Sequence, residues 1–267
     1  MNIAAVLAAS GIEPGEARLL LAEACGFSEA SVLAHPEREL PAAAHAHFMG
    51  MAARRRAGEP LAYILGRREF YGLPFAVGPA VLIPRPESEL LVDLALTKNP
   101  RSVLDLGTGC GALALAIKRS HPKARVVAVE RSAAALEFAR RNAARLGLEI
   151  DFRHGDWWAA IAGERFELVV CNPPYVAEND PHLAASDLRF EPRSALAAGS
   201  DGLDAIREVV RGAPDHLVGG GTILVEHGLG QDAAVRTLMA EARLEDIATW
   251  PDLAGIARVT GGGLKSD

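Results

Sequence analysis

A polar turn directly after an apolar, β-branched stretch is the strongest candidate for chemistry in this sequence. Residues 166–171 read Phe-Glu-Leu-Val-Val-Cys, and Asn172, Pro173, Pro174 and Tyr175 follow them. Two successive prolines fix φ and remove two backbone N–H donors, so a strand must end there. The proline carbonyls are then left without a helix or ladder partner, beside an amide and an aromatic ring. This turn could hold a planar, amide-like group, although an isolated Asn-Pro is more commonly only a rigid turn.

A glycine-rich segment upstream could hold a second ligand. The positions of interest in it are Asp105, Gly107, Thr108, Gly109, Cys110 and Gly111. Glycines at alternate positions let the backbone approach a ligand closely, and the helix that follows offers free N–H groups. The G-x-G-x-G spacing departs from the G-x-G-x-x-G of a dinucleotide site. We therefore expect the loop to hold the amino-acid moiety of a ligand instead of a pyrophosphate, although packing alone also selects such glycines.

Two further strand ends carry side chains that suit a nucleoside. Glu130 ends the next predicted strand, roughly 20 residues on, where an acidic side chain meets ribose hydroxyls in doubly wound nucleotide sites. Asp156 and Trp157 follow the third strand, where they could accept a hydrogen bond from an adenine amine and pack on its ring. A helix N-terminal charge, a turn aspartate and a core tryptophan are the structural alternatives. Three such positions at consecutive strand ends are less expected by chance than any one.

The elements that must position these residues alternate between strand and helix from residue 101 onward. Predicted strands cover residues 102–106, 124–129, 150–153, 166–171 and 222–226, with edge strands near 244–249 and 256–260. Predicted helices cover residues 112–119, 133–146, 204–217 and 231–242. This alternation predicts an α/β fold with a doubly wound, mostly parallel sheet that binds ligands at the carboxyl ends of its strands. The glycines within 199–202 and 219–221 are interpreted as turns.

The first quarter of the chain has a different composition. Residues 1–66 are rich in alanine and leucine, with Pro14 opening one helix and Gly26 closing it, and they predict a small all-helical domain. Residues 67–84 are aromatic with central turn residues, as in a β-hairpin linker. Residues 85–267 are then expected to form the catalytic domain. Arg85 lies between two prolines. A surface ion pair with a nearby glutamate is more common for such an arginine than a contact with an anionic ligand.

Composition excludes several classes of protein. A chain of 267 residues with 49% hydrophobic residues can form one large or two unequal domains with a full core. A net charge of −6 argues against affinity based on phosphate neutralisation. The three cysteines are widely spaced and form no CxxC pair. No apolar run is long enough to span a bilayer, and the N-terminal residues lack the basic region of a signal peptide. We therefore expect a cytoplasmic protein without membrane association.

Together, these motifs resemble those of S-adenosylmethionine-dependent methyltransferases that carry an Asn-Pro-Pro-Tyr motif. The stretches that distinguish among them lie at residues 70–75, 82–89, 172–176, 190–196 and 226–231. They resemble the release-factor glutamine N5-methyltransferases, the HemK/PrmC family, and the resemblance runs from about residue 67 to residue 262. Ser88, Cys110 and Glu130 stand where that family usually has threonine, serine and aspartate, and each keeps the size or the charge.

The resemblance implies methyl transfer from S-adenosylmethionine to the glutamine side-chain nitrogen (N5) in the Gly-Gly-Gln motif of peptide-chain release factors, with S-adenosylhomocysteine as product. It implies that Asn172, Pro173 and Tyr175 are catalytic and that they bind the glutamine together with Pro174. The cofactor would contact the residues of the glycine-rich segment and Glu130, Asp156, Trp157 and Asn172. The helical domain would hold the release factor. No metal, no stable nucleic-acid complex and a monomeric chain are expected.

Two other functions compete with this interpretation. The first is methylation of adenine N6 or guanine N2 in DNA or RNA, which uses the same geometry on an extruded base and predicts a basic groove. The acidic balance of the chain argues against it. The second is a non-catalytic module that binds the cofactor or a translation factor, and the intact residues 172–175 argue against lost catalysis.

Overall fold

The computed structural model describes residues 1–184 and 186–266, and the chain divides into two compact units between Arg67 and Arg68. The first unit is helical. Its helices are α1 (Ile3–Ala8), α2 (Pro14–Cys25), α3 (Glu29–Ala34), α4 (Ala42–Arg56) and α5 (Leu61–Leu65). Gly26 ends α2 in the left-handed region, so the predicted end of that helix is confirmed, and the Ser28 hydroxyl caps α3. Leu20, Leu21 and Phe48 are fully buried at its centre.

A β-hairpin precedes the large sheet. It consists of β1 (Arg67–Phe70) and β2 (Leu73–Ala76), joined by Tyr71 and Gly72, which both have positive φ. Two such residues between antiparallel strands form the turn that best matches the strand twist. The hairpin that the aromatic stretch predicted is therefore confirmed.

The second unit contains the large sheet. Its strands are β3 (Ser102–Leu106), β4 (Arg125–Glu130), β5 (Asp151–His154), β6 (Phe166–Cys171), β7 (Leu217–Glu226), β8 (Glu245–Pro251) and β9 (Ala257–Gly263). Its helices are α6 (Glu89–Thr97), α7 (Ala112–Ser120), α8 (Ala133–Leu146), α9 (Asp204–His216) and α10 (Asp232–Glu241). In the part of the chain that the structure describes, the strands form one sheet in the order β5-β4-β3-β6-β7-β9-β8.

The direction of the strands confirms the predicted α/β fold with a doubly wound, mostly parallel sheet. Strands β3 to β7 pair in parallel, and β9 pairs antiparallel with both β7 and β8. The chain builds outward from β3 to β5 and then returns to place β6 on the other side of β3. Ligands bind at such a reversal of strand order, at the carboxyl ends of the strands. Leu106 pairs with Cys171 there, so the glycine-rich segment and Asn172 leave the sheet side by side.

One predicted turn is wrong. Residues 219–221 lie inside β7, where the register against β6 shifts between Phe166 and Leu168. A Cβ atom at Gly221 would lie 2.9 Å from the carbonyl oxygen of Phe166 on the neighbouring strand and 2.9 Å from that of Val218, so both contacts exclude a side chain there. The predicted turn at residues 199–202 is confirmed, with positive φ at Gly199 and Gly202.

None of the helices in the residues that the structure describes is both long enough and apolar enough to cross a bilayer. No group of three or more His, Cys, Asp or Glu side chains within residues 1–184 and 186–266 is arranged to hold a metal ion.

Candidate active site

A cavity of about 350 Å³ opens at the carboxyl ends of the central strands. The predicted site residues that line it are Gly107, Gly109, Glu130, Asp156, Trp157, Asn172 and Pro174. They follow β3, β4, β5 and β6, which are adjacent in the sheet. Thr108 and Cys110 line a smaller neighbouring cavity that also includes Ser88 and Asn172. The structure thus gathers residues that are up to 67 positions apart, from Gly107 to Pro174, around one space.

The glycine-rich segment bends so that its backbone faces this space. Gly107, Gly109 and Gly111 all have positive φ, and Gly111 precedes the first turn of α7. A Cβ atom placed on Gly109 would meet no atom within 4 Å, so this position is open to a ligand. The buried Cys110 side chain faces away from solvent, and burial raises the pKa of its thiol to about 12. Cys110 therefore packs beneath the loop as a neutral side chain.

Asp105 is the buried acid beneath this loop. Its Oδ2 atom accepts hydrogen bonds from the Thr108 hydroxyl (2.6 Å) and from the backbone N–H of Ala114 (3.2 Å). Its Oδ1 atom is buried and has no hydrogen-bond partner among the described residues. Burial is the main cause that raises the pKa of Asp105 to about 7, against the lowering effect of these two donors. A cationic ammonium group beside Oδ1 would satisfy the free oxygen and restore the charged form.

Glu130 holds the loop as well as lining the cavity. One carboxylate oxygen accepts from the backbone N–H of Gly109 (2.9 Å), and the other accepts from that of Ser132 (2.8 Å). Each carboxylate oxygen can accept a second hydrogen bond, so the side chain can still bind a pair of hydroxyl groups. Glu130 therefore makes the predicted contact beside Ser132 at the N-terminus of the helix, and it also lines the cavity. The bond to Gly109 is a role that the sequence did not indicate.

Trp157 and Asp156 form another side of the cavity. Trp157 has φ of +40°, which is strained for a bulky residue. Its ring lies against Gly107, where a Cβ atom would be 3.2 Å from the ring. The strained backbone thus places an aromatic face beside the glycine-rich segment. Trp158, the next residue, points elsewhere and stacks on His216 with ring centroids 4.8 Å apart.

Asn172 is held by a contact that fixes its side chain. Its Nδ2 atom donates to the Ser88 hydroxyl at 2.9 Å. The nitrogen is occupied by this contact, so the amide oxygen is the free end of the side chain. Ser88 belongs to a single 3-10 turn (Pro86–Ser88) just before α6, and it is buried. The sequence therefore predicted Asn172 as a site residue. Ser88, which orients it, appeared only among the residues that carry the family resemblance.

Tyr175 is fixed at both ends. Its phenol donates to Glu226 at 3.2 Å, and its carbonyl oxygen accepts from the Gln231 side chain at 3.0 Å. Burial, followed by the charge of Glu226, raises the pKa of the phenol, so Tyr175 stays protonated. Gly202 approaches the same carbonyl so closely that a Cβ atom there would lie 2.2 Å from the oxygen. These contacts lock the turn at residues 172–175.

Arg85 does not form the expected surface ion pair with a nearby glutamate. It pairs instead with Glu191, whose side chain is completely buried. Glu191 also accepts from the backbone N–H of Ile83 at 2.9 Å. A buried carboxylate needs a cation and hydrogen-bond donors, and Arg85 and Ile83 supply them. This pair brings residues 190–195 against residues 80–85, and both segments contribute to the cavity wall.

Two known protein families match separate parts of the chain. A family described as the PrmC N-terminal domain matches residues 2–66, and one described as the methyltransferase small domain matches residues 86–200. A release factor glutamine methyltransferase of Burkholderia pseudomallei is 50% identical over 98% of this chain and 95% of its own length. One from Escherichia coli is 41% identical, with coverage of 92% and 90%.

Solved structures share the fold at low identity. A methyltransferase from Pyrococcus furiosus matches with a TM-score of 0.57 and 16% identity, over 81% of this chain and 98% of that one. The 16S rRNA N2 G1207 methyltransferase of T. thermophilus, in complex with AdoMet and guanosine, matches with a TM-score of 0.55 and 24% identity. That match covers 74% of this chain and 50% of the other. At these identities the likeness shows the fold alone.

Proposed function

This chain belongs to the release factor glutamine methyltransferases, and from that premise we propose that it methylates the glutamine of the Gly-Gly-Gln motif in peptide-chain release factors. The methyl group comes from S-adenosylmethionine and goes to the side-chain amide nitrogen (N5). The observation that carries this proposal is the fixed side chain of Asn172 at the edge of the cavity. Its nitrogen is bound to Ser88, and its oxygen is left to accept a hydrogen bond from an amide.

The residues around the cavity fit S-adenosylmethionine. The free Oδ1 atom of Asp105, which lies beneath the loop and not in the cavity wall, would suit the ammonium of the methionine part. The Glu130 carboxylate suits the ribose hydroxyls. Asp156 would accept from the adenine amine, and Trp157 would pack on the adenine. When bound, the cofactor supplies an electrophilic methyl group on a sulfonium. The remaining residues of the glycine-rich segment, from Gly107 to Gly111, shape the backbone that holds it.

The turn at residues 172–175 would act on the glutamine amide. An amide nitrogen is a poor nucleophile because its lone pair is delocalised into the carbonyl. The Asn172 oxygen and the Pro173 carbonyl would accept the two N–H bonds of the substrate amide. These contacts orient the nitrogen and stabilise the positive charge that develops on it during transfer. Pro174 and Tyr175 would pack beside the amide plane and exclude water, and the proton is lost after methylation.

The proposal extends to the organisation of the chain. Residues 1–66 would recognise the release factor, residues 67–84 would link the two parts, and residues 85–267 would bind the cofactor and carry out the transfer. The match of residues 2–66 to the PrmC N-terminal domain supports this division. We further propose that the chain works as a monomer in the cytoplasm on a protein, without a stable nucleic-acid complex.

The test is transfer of a labelled methyl group to a release factor and to its variant with alanine in place of the Gly-Gly-Gln glutamine. We expect label in the first protein only. Label in tRNA or DNA instead would support the nucleic-acid alternative. Asn172→Ala should lower turnover by about 100- to 1000-fold, as expected for loss of a group that stabilises developing charge. Its affinity for S-adenosylhomocysteine should stay within about threefold, and near-normal turnover would refute the role of Asn172.

A further inference from the structure

Trp158 is anchored on α9 by contacts that the proposed chemistry does not use. Its indole N–H donates to the backbone carbonyl of Glu208 at 3.2 Å. Its ring stacks on the His216 ring, with centroids 4.8 Å apart and planes 4° from parallel. Gly212 lies between these two residues on the helix, and a Cβ atom there would be 2.3 Å from the indole nitrogen. Because residues four apart lie on one face of a helix, the three form a single row beneath Trp158.

The glycine in this row has a structural reason. Gly212 lies inside α9, where glycine is less favourable than alanine because it loses more backbone freedom on folding. Any side chain at this position would displace the indole of Trp158. His216 is held in turn, since its Nδ1 atom lies 2.9 Å from the carbonyl oxygen of Glu164. The helix therefore presents a fixed seat for one indole ring.

The chain on the other side of Trp157 is fixed as well. The backbone N–H of Gly155 donates to the carbonyl of Glu130, the last residue of β4, at 3.1 Å. Asp156 and Trp157 alone separate Gly155 from the anchored Trp158. The backbone must join these two fixed points, and Trp157 has the φ of +40° that a bulky residue rarely adopts.

This strained conformation directs the Trp157 ring to the cavity, where it lies beside Gly107. Strain of this kind persists only where the surrounding contacts over-determine the conformation. Trp158 supplies such contacts, because its indole cannot move without leaving Gly212 and His216. Without them, the backbone at Trp157 would relax and its ring would leave the cavity wall.

We propose that Trp158 is a positioning residue for the cofactor, which acts through the backbone of Trp157. Packed against Gly212 and His216, it holds the Trp157 ring in place before the cofactor binds, so that binding does not have to supply the strain energy. This inference rests on the proposed function, because it assigns to Trp157 the task of packing on the adenine. Trp158 itself would touch neither the cofactor nor the release factor.

The experiment removes the anchor in two ways and measures the affinity for S-adenosylhomocysteine by titration calorimetry. Gly212→Ala fills the space of the indole, and His216→Ala removes the stacked ring. His216→Phe keeps a flat ring at the same place and is the conservative variant. Gly50→Ala is the matched control for affinity, since Gly50 lies inside α4 and a Cβ atom there meets nothing within 4 Å. Thermal unfolding verifies that each variant is folded.

A second background separates positioning from a general effect on the fold. Gly212→Ala and His216→Ala are each combined with Trp157→Gly, which removes the ring and also the strain, because glycine adopts positive φ readily. If the anchor acts through Trp157, its loss should not matter in this background. Turnover with a release factor at saturating cofactor is measured for all variants.

We expect Gly212→Ala to lower the affinity about tenfold, because a non-glycine residue leaves the left-handed region with a preference of about that size. His216→Ala should lower it about fivefold, the contribution of a stacked aromatic pair. His216→Phe and Gly50→Ala should stay within about twofold of the wild type, and so should both anchor variants relative to Trp157→Gly alone. Turnover of Gly212→Ala and His216→Ala at saturating cofactor should change by less than about threefold, since the contact serves binding.

Several outcomes would overturn this inference. They are wild-type affinity in Gly212→Ala, equal losses with and without the Trp157 ring, or a loss of turnover at saturating cofactor with unchanged affinity. If Gly212→Ala does not fold, the comparison of His216→Ala with His216→Phe in both backgrounds decides the matter. Absence of methyl transfer by a wild-type protein that binds S-adenosylhomocysteine would instead refute the proposed function, so the two failures are distinguishable.

Discussion

Two buried carboxylates lie at the same edge of the sheet and are held in opposite ways. Asp105 lies near the end of β3 and Glu226 at the end of β7, and these strands run in the same direction. Burial raises the pKa of each to about 7, and each has one oxygen without a partner in the described residues. The partners of Asp105 come from the next nine residues of the chain. The hydrogen-bond donor to Glu226 is the phenol of Tyr175, 51 residues away.

This difference separates the two halves of the site. The centre of the cofactor half is a continuous segment, the loop between β3 and α7, and Glu130, Asp156 and Trp157 join it from the ends of the next two strands. The substrate half is assembled by side chains from several distant segments. A change in the first half should therefore affect ligand affinity, whereas a change in the second should affect stability of the assembly or the rate of transfer.

The largest expected effect breaks the packing of the substrate half. In Gly202→Ala the new Cβ would lie 2.2 Å from the Tyr175 carbonyl, at a φ of +75°. We expect the free energy of unfolding to fall by about 3–4 kcal/mol, from overpacking and left-handed strain together. Tryptophan fluorescence during denaturant unfolding is a suitable measure, because all three tryptophans belong to the second unit.

The control for that variant is Gly147→Ala. Gly147 has a φ of +65°, but a Cβ atom there meets nothing within 4 Å. It should lose only the cost of the left-handed backbone, about 1–2 kcal/mol. Equal losses in the two variants would mean that the close approach to Tyr175 carries no energy.

A smaller effect tests whether the cofactor half is independent. Asp105→Asn removes the charge that would face the cofactor ammonium, and we expect the affinity for S-adenosylhomocysteine to fall about 100-fold, as for a lost charge-assisted hydrogen bond. Glu226→Gln should leave that affinity within about threefold. Titration calorimetry at pH 8 measures both. Similar losses in the two variants would contradict the division into halves.

The smallest effect concerns stability and pH. Both carboxyls bind a proton more tightly in the folded chain, with a pKa of about 7, than at their ordinary values of 3.8 and 4.5. The stability that they contribute is therefore present at low pH and is lost as pH rises towards 7. In Asp105→Asn and in Glu226→Gln, the decrease in unfolding free energy between pH 5 and pH 7 should be smaller by about 2 kcal/mol. Unfolding curves at each pH without cofactor provide the test, and an unchanged slope would contradict it.

The sequence could predict the features that depend on residues close together in the chain. The helix end at Gly26, the alternation of strands and helices and the position of the glycine-rich segment depend on residues close together in the chain. The position of Asn172 could also be predicted, because two successive prolines must end a strand. None of these predictions required knowledge of which distant residues meet.

The errors and omissions concern distant partners. Arg85 was expected to pair with a glutamate nearby, yet its partner is Glu191, 106 residues away. Gly221 was interpreted as part of a turn, yet it lies in β7, where the carbonyls of Phe166 and Val218 leave no room for a side chain. Glu226 ends an apolar strand, and a charged residue at that place was the available signal for a buried acid. Nothing local indicated that Ser88 would accept a hydrogen bond from Asn172.

The β-hairpin also depends on a residue that is distant in the chain. The Asn142 side chain accepts from the N–H of Ala76 at 2.7 Å, and it donates to the carbonyls of Ala76 and Cys110. Asn142 lies on α8, 66 residues after Ala76. A two-stranded hairpin alone is only marginally stable in water. Because the same Asn142 side chain binds Ala76 and Cys110, the packing of α8 supports both the hairpin and the loop that would hold the cofactor.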